Sequence, residues 1–485
     1  MTLKMELNLD YLEENIDQIG IKEASALLKE LIVSSKDPLS RQKALRIFGS
    51  IDNDKNFKFF EQLFLSDENF NIRLETGYVL RDKYLTHKKF VPLLEFTLNK
   101  LDNVQQRLLA VEILNLINTT NSRKIIIDYL KRLIKTEFKS KFEKFFNRIL
   151  TDELVNPIPS TIIDTCINLI LYDYYSNKCR YHITTREGKI VSLNCEGSNL
   201  KKISEILEFN RLIYLEHLLL QRNKIKNMEG FAHLNRLKTL NLSNNQLGRI
   251  ENLEVLKETL EELDLSNNKI EKIENLEPLR NLRKLSLESN LIKEIEGLEN
   301  LVNLEELNLS SNNIGVIKTL NYLLKLRKLN LSFNKLEKIS GLNKLRNLLW
   351  LYLNNNLIKC IENLDTLKDL KGLYLSNNCI EIIKNLTNLP NLRKLELSNN
   401  SIQRIQGLEN LRKLQEIFLD KNNISKLEGL DNLENLIILF LENNEISEFS
   451  NESIENLKNL NFIFLNENPL TPKSWEIYRK KTKYP

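Results

Sequence analysis

From about residue 190 the apolar positions settle into one arrangement, Leu-x-Leu-x-x-Asn-x-Leu/Ile, as in "LWLYLNNNLI" (349–358). The asparagines that close it are Asn223, Asn245, Asn268, Asn290, Asn312, Asn334, Asn356, Asn378, Asn400, Asn422, Asn444 and Asn468. Nine of their eleven intervals are 22 residues, and the others are 23 and 24. A degenerate earlier unit, "LNCEGSNL" (193–200), has Ser198 in the asparagine slot and Cys195 in a leucine slot. Leu-x-Leu has the period of a strand, so both leucines point inward and the residues between them point out. Strands of successive units pair in parallel about 4.8 Å apart, so twelve units extend nearly 60 Å along one sheet. Each asparagine stands where the chain leaves its strand, and its amide can serve backbone groups that would otherwise be buried unpaired. The twelve form a structural asparagine ladder. The return segment, "IxxIxxLxxLxxL", is too short for a full α-helix and is expected as 3₁₀ or irregular backbone.

A self-similar period of this length and composition is the leucine-rich repeat signature. The fold class expected is an α/β solenoid: a leucine-rich repeat arc with a parallel β-sheet on its concave face and short 3₁₀ or irregular segments on its convex face. Ahead of it the periodicity changes to three and four, which predicts helices. "DPLSRQKAL" (37–45), "NFNIRLETG" (69–77) and "NVQQRLLAV" (103–111) share Asp/Asn-x-x-x-Arg, with Ala44, Thr76 and Ala110 three residues after each arginine. The spacings of 32 and 34 resemble HEAT-like helical hairpins, in which the Asp/Asn caps a helix and the small residue permits close packing. A non-repeating helical bundle is the alternative.

The domains expected are residues 1–155, all-α and HEAT-like; 156–189, a junction and capping helix; 190–470, the twelve repeats and the degenerate first unit; and 471–485, a C-terminal cap. "VNPIPS" (155–160) breaks the helical pattern at the junction. In the cap, Ser474 is expected as N-cap of a closing helix and Trp475 as the cover over the last leucines. The basic residues Arg479, Lys480, Lys481 and Lys483 read as a solvated helix face.

Composition narrows the function. Seventy basic and 65 acidic residues leave a formal charge of +5, near balance for 485 residues, and imply neither nucleic-acid binding nor attraction to an anionic membrane. The start, "MTLKMELNLDYLEENID", does not read as a secretory signal, and the apolar run 160–175 is too short to span a bilayer and reads as a buried helix. Five cysteines without a CxxC imply neither a disulfide framework nor a zinc site, and a reducing, cytoplasmic location is expected. Phosphate-loop, dinucleotide, nucleophile-elbow and HExxH motifs are missing, and the four histidines have no partners at ligand spacing. No catalytic residue, metal or cofactor is expected; an enzyme remains the weaker alternative.

The outward strand positions carry the functional signal. Six and seven residues before each asparagine, Glu261/Glu262, Arg283/Lys284, Glu305/Glu306 and Arg327/Lys328 alternate in sign from strand to strand, as cross-strand ion-pair ladders do. The alternation stops at Leu349/Trp350. Four residues before each asparagine, the second half of the column reads Tyr352, Tyr374, Glu396, Phe418, Phe440 and Phe464, whereas none of the first six entries is aromatic. Ile438 and Phe462 add apolar surface, and Phe333 extends it at the neighbouring strand. An aromatic stripe on an outward face marks a partner site. The candidate partner-binding residues are Trp350, Tyr352, Tyr374, Glu396, Phe418, Phe440, Phe462 and Phe464, with Asp420, Glu442 and Lys394 as its polar part. The competing reading is that the rings stack on one another and only pave the sheet.

"LSNNKIEKIENLEPLRNLRKL" (265–285) and "LESNLIKEIEGLENLVNLEEL" (287–307) resemble the intracellular 22-residue class typified by the regulatory subunit of protein phosphatase 1, over about 280 residues. That resemblance implies non-catalytic binding of a protein partner, such as a serine/threonine phosphatase, through aromatic and acidic side chains of the concave face. The helical N-terminal domain departs from it. Secreted internalins share the period, and the start of the chain argues against that class. The function expected is a monomeric protein-binding scaffold or regulatory subunit. A phosphatase regulator and a self-assembling structural protein are the alternatives.

Overall fold

A computed structural model describes residues 9–52, 54–137 and 159–482. The chain divides into two compact units, residues 1–190 and 191–485. The expected break at 155–158, and Lys483, lie outside the described residues.

The first unit is helical from α1 (Leu9–Glu14) and α2 (Ile16–Ile19) onward. Six further helices pack as sequential pairs: α3 (Ile21–Ser34) with α4 (Pro38–Ile51), α5 (Phe57–Ser66) with α6 (Phe70–Lys83), and α7 (Phe90–Lys100) with α8 (Val104–Ile117). The second helices of these pairs also pack on one another, α4 on α6 and α6 on α8. Their start signals act as the residue types require. Asp37 accepts from the Leu39 and Ser40 amides, Asn69 from Asn71 and Ile72, and Asn103 from Gln106. Ala44, Thr76 and Ala110 are fully buried on the packed faces. Two of the three arginines between cap and small residue reach out of their own helices: Arg41 pairs with Asp67, and Arg107 with Asp173 at 3.4 Å, whereas Arg73 lies over Phe70 of its own helix. After α9 (Thr120–Glu137), the apolar helix Ser160–Asp173 packs on α8 and α9, with Ile162, Cys166, Leu169 and Ile170 buried. Strand β1 (His182–Arg186) follows it in the same unit.

The second unit is a parallel-strand solenoid. After β2 (Lys189–Asn194) come twelve three-residue strands: β3 (His217–Leu219), β4 (Thr239–Asn241), β5 (Glu262–Asp264), β6 (Lys284–Ser286), β7 (Glu306–Asn308), β8 (Lys328–Asn330), β9 (Trp350–Tyr352), β10 (Gly372–Tyr374), β11 (Lys394–Glu396), β12 (Glu416–Phe418), β13 (Ile438–Phe440) and β14 (Phe462–Phe464). From β2 onward each pairs only with its chain neighbours, in chain order. The register matches equivalent positions, such as Leu329↔Leu351 and Leu351↔Leu373. The central residue of every strand from β3 is buried, so one sheet face closes on the core and the other is open.

The asparagines bind successive units together. Asn312 donates through Nδ2 to the carbonyls of Leu287, Leu309 and Ser310 at 2.9–3.1 Å, while its Oδ1 accepts from the Ile292 amide of the preceding unit at 3.0 Å. The same four bonds recur at the other eleven asparagines, from Asn223 to Asn468. Each bond satisfies a buried backbone group where the chain turns out of the sheet.

A second column, seven residues after each ladder asparagine from Asn223 to Asn422, lies on the return side and takes positive φ. It holds Gly297, Gly341, Gly407 and Gly429, or Asn252, Asn275, Asn363 and Asn385. At the glycines a Cβ would meet the carbonyl oxygen of the preceding unit, 2.2 Å from Ile405 O at Gly429 and 2.7 Å from Ile273 O at Gly297. The asparagines turn that approach into a bond, as Asn275 Nδ2 does to Ile250 O at 2.8 Å. Thr319 stands in the same column at φ +60 and its hydroxyl donates to Ile295 O at 2.8 Å.

The cap differs from expectation. The closing helix runs Pro472–Thr482, and Thr471 rather than Ser474 caps it, accepting from the Ser474 amide at 3.3 Å. Ser474 is buried and its hydroxyl accepts from the Phe449 amide. The cover over the last strand is Tyr478, not Trp475, which is only half-buried. The Tyr478 hydroxyl donates to Ile463 O at 3.1 Å and accepts from Leu465 N at 3.3 Å. These are groups of the outer edge of β14, so one phenol stands in for a missing strand.

Candidate functional site

The open face of the sheet has two halves. On β4–β8 it is a shallow trough with the strand leucines at its floor and Thr239, Asn241, Glu262, Asp264, Lys284, Ser286, Glu306, Asn308 and Lys328 along it. The expected ion-pair ladder is partial. Lys284 Nζ reaches back to Glu262 at 2.8 Å, while Arg283 reaches forward to Glu305 at 2.9 Å. The bond that Lys284 donates to Glu262 raises the Lys284 pKa. His217 is half-buried on β3, its Nδ1 3.1 Å from the Thr239 hydroxyl. Among the described residues no group of three or more His, Cys, Asp or Glu could hold a metal ion.

From β9 the face turns aromatic, and the stripe is two stacks rather than one run. Tyr352 and Tyr374 lie nearly parallel with centroids 4.3 Å apart, and Trp350 meets Tyr374 at 6.5 Å and 40°. Further on, Phe418, Phe440 and Phe464 stack with centroids 4.8 and 4.3 Å apart, and Phe462 lies parallel to Phe464 at 6.5 Å. The spacing follows from the register. Equivalent positions on parallel neighbours are one strand apart, which is ring-stacking distance. Most of these rings are half-buried, but Phe462 is 49% exposed.

Strand β11 separates the stacks. Here Glu396 replaces an aromatic ring, and Lys394 lies over Tyr374 at 5.6 Å on one side and Phe418 at 4.6 Å on the other. Its ammonium also pairs with Glu396 at 3.1 Å and Glu416 at 3.2 Å. Burial disfavours the Lys394 charge, but the bonds to the two carboxylates outweigh it and hold the pKa above the ordinary lysine value. Burial, and then the adjacent Tyr352, push the Tyr374 phenol up. Lys328 lies over the outer face of the first stack, 5.7 Å from the Tyr352 ring.

Two features of this site lie outside the aromatic pattern. Gly372 opens β10, where β9 has Trp350. A Cβ there would lie 2.4 Å from Trp350 Cε3 and 2.9 Å from Tyr374 Cε2, so the indole rests across the glycine. The signal was a glycine in a column otherwise held by larger side chains, in a chain with 13 glycines. The other is Phe333, 59% exposed at φ +55 in the column just before the ladder asparagines, where most units have Asn or Ser. A left-handed conformation at a bulky residue costs about 1–2 kcal/mol.

Residues 201–291 match the family described as leucine-rich repeat, and 302–344 and 390–432 match the description "Leucine Rich repeats (2 copies)". With the solenoid topology, these matches identify the matched segments as leucine-rich repeats. Among solved structures, a Leptospira interrogans leucine-rich repeat protein aligns at 28% identity and a TM-score of 0.55, over 59% of this chain and 81% of that one. An internalin, InlF, from Listeria monocytogenes aligns at 27% identity and a TM-score of 0.44, over 59% of this chain and 86% of that one. No curated protein matches the chain. Leucine-rich repeat domains generally mediate protein–protein interaction and are typically non-catalytic. No helix among the described residues is long and apolar enough to cross a membrane.

Proposed function

We propose that the chain is a non-catalytic scaffold or regulatory subunit that holds a protein partner on the open sheet face of β9–β14. The observation that carries this reading is the gathering of Trp350, Tyr352, Tyr374, Phe418, Phe440, Phe462 and Phe464 on outward strand positions. Stacking accounts for the ring-to-ring faces, but it leaves edges and outer faces open, and it does not account for an exposed phenylalanine in a left-handed conformation. Short strands pinned by a buried asparagine ladder keep these rings preorganised, so little ordering entropy opposes association. The polar members, Lys394, Glu396, Asp420 and Glu442, limit which surfaces fit.

Affinity capture with the full chain tests this. The double variant Trp350→Ala with Phe418→Ala is expected to lose a captured protein while melting near the wild-type temperature. If every captured protein stays bound, the site is misassigned. A narrower form, regulation of a serine/threonine phosphatase, is supported by the I-E-G-L-E-N resemblance and requires a metallophosphatase among the proteins lost. We also place the protein in a reducing intracellular compartment, supported by five free cysteines, two of them exposed. Thiol titration of native protein from its source checks that. The helical unit we read as HEAT-like, on its capped, closely packed second helices.

A further inference from the structure

The two aromatic stacks stand in opposite electrostatic surroundings. Across segments 327–333, 349–355, 371–377 and 393–399, five cations (Arg327, Lys328, Lys371, Arg393 and Lys394) accompany one carboxylate, Glu396. Across 415–421, 437–443 and 461–467, four carboxylates (Glu416, Asp420, Glu442 and Glu467) accompany one cation, Lys421. Part of this charge is compensated internally, since Lys394 is tied to Glu396 and Glu416. The rest is not. Among the described residues Arg327, Lys371 and Arg393 form no ion pair, nor do Asp420 and Glu442, whose carboxylates accept only from the Ser398 hydroxyl and the Asn466 side-chain amide.

The uncompensated charges also sit beside their own kind. Lys371 and Arg393 are strand neighbours, joined by the bond from Arg393 N to Lys371 O at 2.8 Å. Asp420 and Glu442 are equivalent positions of adjacent units, and Lys421, the residue after Asp420, donates its amide to Glu442 O at 2.8 Å. Like charges held at equivalent positions beside neighbouring strands repel each other, so each pair favours an incoming counter-charge.

We propose that the occupant of this face is one polypeptide segment of a protein partner with segregated charge. Its acidic residues lie over the Trp350–Tyr352–Tyr374 end, and its arginine or lysine residues lie beside apolar side chains over the Phe418–Phe440–Phe464 end. The inference rests on the partner-binding reading above and specifies the chemistry of what is bound. A polyanion such as nucleic acid fits only the first half, because the carboxylate band repels it. A uniformly basic segment fits only the second. Seven strands from β8 to β14 span about 29 Å, the length of about 9 extended or about 19 helical residues.

The probe is a displayed library of random peptides of about 20 residues, the helical length of the face, selected on the full chain. Every enriched peptide is then measured on three variants whose fold is checked by circular dichroism: Trp350→Ala/Phe418→Ala, Lys371→Glu/Arg393→Glu and Asp420→Lys/Glu442→Lys. The expected result is peptides with Asp and Glu at one end, Lys and Arg at the other and aromatic or aliphatic residues between. The aromatic variant abolishes their binding, and each charge reversal weakens it about tenfold. Peptides that need the aromatic residues but carry one sign of charge, or ignore both reversals, overturn this inference and leave the partner site standing. If no enriched peptide depends on Trp350 and Phe418, the partner site itself falls.

Discussion

Replacing Gly372 by alanine puts a methyl group where the Trp350 indole now rests. The new Cβ would lie 2.4 Å from Trp350 Cε3 and 2.6 Å from Cζ3. Carbon atoms settle at about 3.5–4.0 Å, so the ring must withdraw by more than about 1 Å. The nearest other obstacle is Tyr374 Cε2 at 2.9 Å, which must also give way. Both rings belong to the first stack, and neither is locked in by the core, so the motion runs outward. If the indole gives up about 50 Å² of covered surface, the loss is about 1 kcal/mol at 25 cal/mol per Å². Removing a glycine from a strand returns about 0.5–1 kcal/mol. Folding stability is therefore expected to stay within about 1 kcal/mol of wild type, while the site is rearranged. Tryptophan emission reads this directly, because Trp475 is the only other tryptophan and can be replaced by phenylalanine. In that background, Gly372→Ala is expected to red-shift the Trp350 emission and weaken partner capture with little change in melting temperature. Unchanged emission would refute the argument that Gly372 supports the indole.

Three further outcomes follow from the backbone. Asn312→Ala leaves the buried Ile292 amide without its acceptor and takes one of two donors from each of three carbonyls, and is expected to cost about 1–3 kcal/mol in urea unfolding; a loss under about 0.5 kcal/mol contradicts the ladder's energetic role. Thr319→Asn keeps the bond to the preceding unit but replaces a β-branched residue at φ +60 with one that tolerates it, so a gain of about 0.5–1.5 kcal/mol is expected by the same measurement. Tyr478→Phe removes the hydroxyl that serves Ile463 O and Leu465 N, and hydrogen exchange should show the Leu465 amide losing protection while the mid-sheet amide of Leu351 keeps its own.

What was legible in the sequence was whatever recurs. The ladder asparagines, the buried strand leucines and the helix caps Asp37, Asn69 and Asn103 each occupy one environment many times over, so spacing alone located them. The column holding Gly297, Asn275 and Thr319 recurs as well. It emerges as a column only once Gly and Asn are treated as equivalent, which their shared tolerance of positive φ requires. Features that occur once were harder to read. Thr471 and Ser474 are both good capping residues, and the choice between them turns on Pro472, which suits the first helical position and points to the residue before it. The aromatic residues were visible as a column, but the division into two stacks was not. It depends on Lys394 choosing both flanking rings and both flanking carboxylates, a choice of rotamer that residue type leaves open.

The alternation of charge on β5–β8 gives the solenoid a parity. In shape, one unit is interchangeable with the next, because every unit offers the same asparagine to its neighbour. In charge, the true period is a pair of units, 44 residues from Asn268 to Asn312, since Glu261/Glu262 return as Glu305/Glu306 only after Arg283/Lys284. Excising one unit from this stretch would close the sheet in register yet set glutamate beside glutamate or arginine beside arginine. Excising two would restore both. Growth or shrinkage of this part of the chain is thus expected to be tolerated in even steps, while the uncharged strand at Trp350 marks where that counting stops.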